Sequence, residues 1–177
     1  MVFLRRDLSV PELGLFLENI RRETTPPGTE ITMLSEYDNA VERNNEPSYP
    51  LTLHYITLEV DEPCKEIAIG FLGLKMFPDV DPGKTASWRD ERSLLIEIEH
   101  IWLFEGYRNK GYASNARKVL IELIKQEIEQ ELSLVKRHKL KLSLNVVDRS
   151  VTAEGERFIR QTRESLKDIY ADQCSIT

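Results

Sequence analysis

The sequence predicts one domain of mixed α/β class that spans residues 1–177. Three observations support this prediction. The chain of 177 residues is long enough for a single domain with a sizeable core. Its hydrophobic fraction of 41% and charged fraction of 31% are typical of a soluble globular protein. Segments with the periodicity of strands alternate with segments with the periodicity of helices, and no internal repeat interrupts them.

The first half of the chain is predicted to contain three strands and two helices. In order, these are a strand over residues 2–4, a helix that begins after Ser9, a short helix over 31–42, and strands over 51–60 and 66–77. Ser9 can cap the first helix, and Glu12 can complete a capping box with it. The last two strands are rich in β-branched and aromatic residues and are joined by a short turn, so we expect an antiparallel hairpin. Gly70 and Gly73 within it indicate a bulge or a close approach of two backbones.

The second half begins with a long polar loop, which is predicted over residues 78–92 and contains Trp88. The elements that follow are a strand over 94–104, a helix over 112–135, a strand over 139–147, a helix over 150–165 and a strand over 166–176. Apolar residues recur every three or four positions in the helix over 112–135 and alternate in the strand over 139–147. Ser150 can cap the helix over 150–165.

The charge and the cysteine content argue against several classes of protein. The net charge is −6 with no obvious basic face, which predicts no nucleic-acid partner. Neither a signal peptide nor a membrane span is indicated, because the longest apolar runs are too short. Cys64 and Cys174 lack the spacing of a metal site or a disulfide framework, so we expect a cytoplasmic protein with reduced thiols and no metal.

The turn between the strand over 94–104 and the helix after it has the chemistry of an anion site. Gly111 and the small Ala113 allow the backbone to close tightly around a ligand. The first amides of the helix lack partners within it, and the helix dipole favours a negative group such as a pyrophosphate there. Arg108 and Lys110 add positive charge. The alternative is an ordinary strand-to-helix turn with solvated basic residues.

This turn resembles the signature of the GNAT superfamily of N-acyltransferases, which reads Arg or Gln, two residues, Gly, one residue, then Gly or Ala. Arg108, Gly111 and Ala113 match it, and the order of predicted elements also resembles that of the family. The resemblance implies a GNAT-like central mixed sheet of about six to seven strands, flanked by about four helices. It also implies that the sheet is splayed between its fourth and fifth strands.

The resemblance implies that acetyl-CoA is the acyl-donor cosubstrate. The end of the fourth strand would bind the pantetheine arm, the turn would bind the pyrophosphate, and an asparagine on the fifth strand could reach the CoA arm. By position, these residues are Ile101, Trp102, Leu103, Arg108, Asn109, Lys110, Gly111, Tyr112, Ala113, Ser114 and Asn145.

Two glutamates are candidates for the general base. Glu97 and Glu99 point to the same side of the fourth strand by alternation, and burial with mutual repulsion would make at least one a stronger proton acceptor. In some family members a glutamate eleven residues before the turn is the base, and Glu97 stands eleven before Arg108. Glu97 is therefore the first choice and Glu99 the second. The alternative is that both face solvent.

The general acid is not identified by the resemblance. Many family members carry a tyrosine that protonates the leaving thiolate, and Arg157 occupies its position here. Tyr170, predicted in the last strand, and Tyr112 in the turn are substitutes by residue type alone.

The leading hypothesis is an N-acetyltransferase that acts on a primary amine, in a small molecule or a protein, by direct attack in a ternary complex. One alternative is a catalytically degenerate module that binds acyl-CoA, and another is an interaction protein that binds no CoA. Only one strand is predicted after Ser165, where the family usually has two. A homodimer that completes the sheet through this final edge is a further hypothesis.

Overall fold

The computed structural model describes five stretches of the chain and a few isolated residues near the amino terminus. These are residues 1–6, 52–59, 66–79, 91–148 and 152–177, together with Ser9, Glu12, Leu15, Phe16 and Glu18. The chain divides into two compact units. The first unit comprises Met1–Leu74 and His100–Ala116, and the second comprises Lys75–Glu99 and Arg117–Thr177.

Six strands form one sheet, in which the spatial order follows the chain order. They are β1 (Val2–Arg5), β2 (Thr52–Glu59), β3 (Glu66–Asp79), β4 (Glu91–Leu103), β5 (Lys141–Asp148) and β6 (Cys174–Ile176). The β1–β2 and β2–β3 pairs are antiparallel, whereas β4–β5 and β5–β6 are parallel. The sheet is therefore mixed, and the predicted α/β class and β2–β3 hairpin are confirmed.

Two long helices are described, α1 (Tyr112–His138) and α2 (Ala153–Tyr170), and a short 3-10 helix (Glu105–Tyr107) precedes α1. Glu12, Leu15, Phe16 and Glu18 are also helical, and the backbone amide of Ser9 donates to the Glu12 carboxylate at 2.7 Å. This bond is the second half of the predicted capping box. Neither long helix combines the length and the apolar composition that crossing a membrane requires.

The carboxyl-terminal prediction was wrong. Helix α2 continues to Tyr170, and only Cys174–Ile176 forms a strand after it. Leu166 and Tyr170 are buried and extend the stripe begun by Phe158, Ile159 and Thr162, so the helical spacing persists past residue 165. The N-cap of α2 is Thr152, two residues after the predicted Ser150.

The polar loop predicted over 78–92 was wrong at both of its ends, and residues 80–90 lie outside the described residues. Pro78 and Asp79 belong to β3, and Glu91 and Arg92 begin β4. The helix predicted over 31–42, Ser150 and Trp88 lie outside the described residues.

The first unit has a hydrophobic cluster on each face of its strands. Tyr55 and Ile56 are neighbours on β2 and therefore point to opposite faces. Tyr55 packs with Phe16, Phe71 and Phe104, with ring centroids 5.1 to 5.9 Å from that of Phe16. Ile56 packs with Val2, Ile69 and Ala116. The amino-terminal helical residues thus cover one face, and the start of α1 covers the other.

Gly70 lies where two strands approach too closely for a side chain. The β2–β3 register pairs Ile56 with Gly70 and Thr57 with Ala68, so Ile69 is an extra, bulged residue. A Cβ atom at Gly70 would collide with the carbonyl oxygen of Trp102 and lie 2.8 Å from a methyl group of Leu103. The predicted bulge and the predicted close approach are both confirmed at this residue.

The second unit has its core between the strands β4 and β5 and the two helices. Leu94, Ile96 and Ile98 are buried on β4, and their register partners are Leu144, Val146 and Asp148 on β5. Arg92 shares their face and forms two hydrogen bonds with Glu131 of α1, which places α1 over that face. Arg117 of α1 donates to the Gln161 carbonyl of α2 at 2.9 Å, so the helices lie side by side. The β4–β5 register ends at Ile98, and β4 continues to Leu103.

Candidate functional site

The turn between β4 and α1 is built from two left-handed residues. After the 3-10 helix, the Arg108 amide donates to the Glu105 carbonyl at 3.2 Å. Asn109 then adopts φ of 58° and Gly111 adopts φ of 81°. Asparagine tolerates the left-handed region better than most residues, and glycine adopts it without steric cost. These two residues let the chain reverse from the strand into the helix within a few positions.

The start of α1 leaves its first amides without partners inside the helix. The Asn115 amide donates to the Gly111 carbonyl at 3.1 Å, which is the first hydrogen bond of the helix. The amides of Tyr112, Ala113 and Ser114 come before it and have no carbonyl one turn earlier. Gly111 has no side chain that could accept from them, and the first turn contains no acidic residue. The dipole at this end therefore favours an anion that the helix itself does not supply.

Arg108 folds back onto the end of β4. Its guanidinium carbon lies 4.4 Å from the centroid of the Trp102 ring, and its Nε donates to the Leu103 carbonyl at 2.8 Å. The residue is exposed, whereas Trp102 and Leu103 are half-buried. A cation–π contact and a hydrogen bond from the same side chain thus hold positive charge at the junction of strand and turn.

Two tyrosines line the turn beside Lys110. The Lys110 ammonium lies 5.9 Å from the centroid of the Tyr107 ring, and the Tyr107 and Tyr112 rings are 6.1 Å apart at 54°. Tyr107 was not among the predicted site residues. Its place immediately before Arg108 was the available signal, since an aromatic ring there is within reach of a cation two or three residues later.

The end of β4 is anchored to β3. The Phe104 amide donates to the Ile69 carbonyl at 2.9 Å, and the Trp102 carbonyl lies against Gly70. Phe104 is 5% exposed and packs in the aromatic cluster around Phe16. The backbone of Trp102 and Leu103 is therefore held in place by packing as well as by hydrogen bonding.

Glu97 is a buried carboxylate with a cation beside it. The residue is 6% exposed, and its Oε2 lies 3.6 Å from the ammonium of Lys75 on β3. The alternative prediction that this glutamate faces solvent was wrong. Glu99 also belongs to β4, but its side chain lies outside the described ones. Lys75 was not among the predicted site residues, because the sequence alone does not show which residue of β3 lies beside Glu97.

Asn145 and Tyr170 differ in their accessibility. Asn145 is exposed on β5, opposite Leu95 of β4. Tyr170 is 3% exposed at the end of α2, and its hydroxyl has no hydrogen-bond partner among the described residues. Burial, with smaller contributions from Glu129, Cys174 and Glu122, raises the pKa of the Tyr170 phenol. None of those three residues belongs to the predicted site.

The structure brings together the end of β4 and the turn, which are both in the first unit. This group contains Ile101, Trp102, Leu103 and the residues from Arg108 to Ser114. Glu97, Asn145 and Tyr170 belong to the second unit. Among the described residues, no group of three or more His, Cys, Asp or Glu side chains could hold a metal ion.

Comparisons of the chain with protein-family models, with curated proteins and with solved structures found no match.

Proposed function

We propose that this protein is an N-acetyltransferase that moves the acetyl group of acetyl-CoA to a primary amine. The observation that carries the proposal is the start of α1, where three helix amides and the cations Arg108 and Lys110 surround a tight turn. The resemblance of this turn to the GNAT signature supports the choice of acyl-CoA as the anion. The pyrophosphate of CoA carries the negative charge that such a helix end stabilises.

The proposed donor site uses backbone groups on the strand and charges on the turn. Ile101, Trp102 and Leu103 would offer the pantetheine arm their backbone groups at the end of β4. The amides from Tyr112 to Ser114 would donate to the pyrophosphate, because fixed donors at a helix start need no reorganisation when an anion binds. Arg108 and Lys110 are exposed, so both cations are accessible to the phosphates.

The proposed base is Glu97. The carboxylate accepts a proton from the acceptor amine, and the amine nitrogen then attacks the carbonyl carbon of the thioester. A C–N bond forms, the C–S bond breaks, and the CoA thiolate leaves and takes up a proton. The exposed Arg157 occupies the position that holds tyrosine in many family members.

A second candidate function is binding of acyl-CoA without catalysis. The burial of Tyr170 and the raised pKa of its phenol favour this alternative, because a weaker acid with no access to solvent is a poor proton donor to a leaving thiolate. The same turn would then bind acyl-CoA as a regulatory ligand.

Two measurements on the purified protein separate these functions. Calorimetry with CoA tests the donor site, and detection of released thiol with a panel of primary amines tests turnover. We expect Glu97→Gln to lower kcat by about 100-fold or more, because a positioned base contributes about that much, and to leave CoA affinity unchanged. Glu164→Gln, at an exposed position of α2, is the matched control.

Binding of CoA without turnover on any amine would favour the binding module. Absence of CoA binding at millimolar concentration would overturn both functions.

A further inference from the structure

Arg108 is held against the end of β4 by two contacts. Its Nε donates to the Leu103 carbonyl at 2.8 Å, and its guanidinium carbon lies 4.4 Å from the centroid of the Trp102 ring. The residue is nevertheless exposed. A charged donor strengthens the bond to a carbonyl, and the face of the ring attracts the same cation. The guanidinium therefore has a defined position on the strand.

The Leu103 carbonyl points away from β3. Along a strand, successive carbonyls point to alternate edges. The Trp102 carbonyl lies against Gly70 of β3, and the Phe104 amide donates to a carbonyl of β3 at 2.9 Å. Leu103 stands between them, so its carbonyl faces the opposite edge of β4. Among the described residues, the pairing of β4 with β5 ends at Ile98, so Arg108 bonds to an edge that this pairing does not reach.

The same edge of β4 is the one on which the proposed donor site depends. A strand that is paired on one side by β3 can bind an extended ligand through its backbone only on the other side. The pantetheine arm contains amide N–H groups, which need acceptors when they leave water. An arm that approaches the Leu103 carbonyl meets the Nε of Arg108 already bonded to it. The arginine and the arm therefore compete for one carbonyl.

A phosphate group would draw Arg108 away from this carbonyl. Guanidinium binds phosphate through charge-assisted and often bidentate hydrogen bonds, which are about twice as strong as those between neutral groups. Arg108 also begins the turn whose helix amides would hold the pyrophosphate. The two halves of CoA thus act on one side chain, because the nucleotide half attracts the group that obstructs the pantetheine half.

We infer that Arg108 is a specificity-determining residue, which makes binding of the pantetheine arm depend on the pyrophosphate. This inference rests on the proposed acetyl-CoA site. It predicts that the protein selects CoA thioesters over acyl-pantetheine thioesters as donors, because the latter lack the phosphates that engage Arg108. A purely structural contact between the turn and β4 would not distinguish the two halves of the ligand.

The first test measures coupling between the two halves of CoA in the wild-type protein. Calorimetry gives the affinity for pantetheine alone and with saturating 3′-phospho-ADP, which is the nucleotide half. We expect the nucleotide to tighten pantetheine binding about fivefold, which is a modest coupling between two sites. Pantetheine is uncharged, so a direct attraction between the halves would not produce this effect. Independent binding of the two halves would overturn the inference.

The second test removes the competing donor. Arg108→Met should bind pantetheine about threefold more tightly and the nucleotide half about tenfold more weakly, since it lacks one hydrogen bond to a carbonyl and a charged one to phosphate. The coupling between the halves should disappear. Unchanged or weaker pantetheine binding, including no measurable binding to either protein, would overturn the inference.

Two other substitutions serve as comparisons for Arg108→Met. Lys110→Met removes the neighbouring cation of the turn, so it should weaken the nucleotide half but leave pantetheine affinity and the coupling as in the wild type. Arg137→Met, at an exposed position in the last turn of α1, should change neither affinity.

Three outcomes distinguish the inference from the function on which it rests. If CoA binds but its halves bind independently, the inference fails and the proposed donor site stands. If CoA does not bind at millimolar concentration, both fail. If CoA binds with the expected coupling but no amine is acetylated, the proposed transferase fails, and the inference holds for a module that binds acyl-CoA.

Discussion

The two long helices begin in opposite ways. At α2, Thr152 accepts a hydrogen bond from the Gly155 amide at 3.1 Å, and Glu154 and Glu156 place negative charge in the first turn. At α1, Gly111 stands at the corresponding position without a side chain, the first turn has no acidic residue, and Arg108 and Lys110 precede it. The start of α2 is thus stabilised by a side-chain cap and by acidic residues of its own, whereas the start of α1 has neither.

The two helix starts therefore differ in how much their own residues stabilise them. A side-chain cap satisfies one of the free amides of a helix, and an acid in the first turn lowers the energy of its dipole. Helix α1 forgoes both contributions and carries cations at the end where anions are favoured. Under the proposed function, this end of α1 is the one that would hold the pyrophosphate of acetyl-CoA.

The largest effect is expected when the first turn of α1 receives a negative charge, as the first turn of α2 already has. Ser114→Glu would place an acid at the third position of α1, where it would interact favourably with the helix dipole and repel a phosphate. We expect CoA affinity, measured by calorimetry, to fall at least about tenfold, and the stability to rise by about 0.5 kcal/mol.

Ser133→Glu adds the same charge at an exposed position farther along α1 and serves as the control. Equal CoA affinity in the two glutamate variants would contradict the assignment of the anion site.

The converse substitution removes the cap of α2. Thr152→Ala deletes the acceptor of the Gly155 amide, so we expect a loss of about 1 kcal/mol in the free energy of unfolding. CoA affinity should stay the same, because this helix end is already satisfied by its own residues. Urea unfolding and calorimetry measure the two effects, with Ser133→Ala as the control. A marked loss of CoA affinity would show that the start of α2 also takes part in binding.

The smallest expected effect concerns the carboxyl end of α1, where backbone amides beyond the helix cap its last carbonyls. The Leu140 amide donates to the Val135 carbonyl at 2.9 Å, and the Lys139 amide donates to that of Lys136 at 3.3 Å. This pattern is a Schellman motif, with Lys139 at φ of 56° in the place usually held by glycine.

Lys139→Gly should therefore stabilise the protein by about 0.5 kcal/mol, because relief of left-handed strain exceeds the entropic cost of glycine. Urea unfolding measures the change. Lys136→Gly, within the last turn of the helix, should instead destabilise it. A destabilised Lys139→Gly would contradict the described geometry.

Local patterns predicted most of the described elements. The alternation at Leu142, Leu144 and Val146 reflects the burial of one face of β5, and the capping-box pattern at Ser9 and Glu12 corresponds to an observed hydrogen bond. The final strand was mispredicted because Leu166 and Tyr170 are apolar and aromatic, which suits a strand as well as a helix. Their burial against the rest of the unit settles the choice, and burial is a tertiary effect.

The candidate site was predictable where it consists of consecutive residues. The turn from Arg108 to Ser114 was predicted from its own sequence, since a tight turn at a glycine and free amides at a helix start are local properties. Lys75 was not predicted, because its contact with Glu97 depends on how β3 and β4 are aligned, which is not a property of consecutive residues. Tyr170 was placed in the wrong element for the reason that applies to the final strand.

The absence of a side chain at Gly70 also bears on how the sheet assembles. Any other residue at this place would collide with the Trp102 carbonyl, so β3 and β4 can meet at this level only when glycine is opposite. A pairing displaced by one position would bring Ile69 or Phe71 to the crossing and would be rejected by steric overlap. A substitution that adds a side chain at position 70 would therefore require β3 and β4 to move apart at this level.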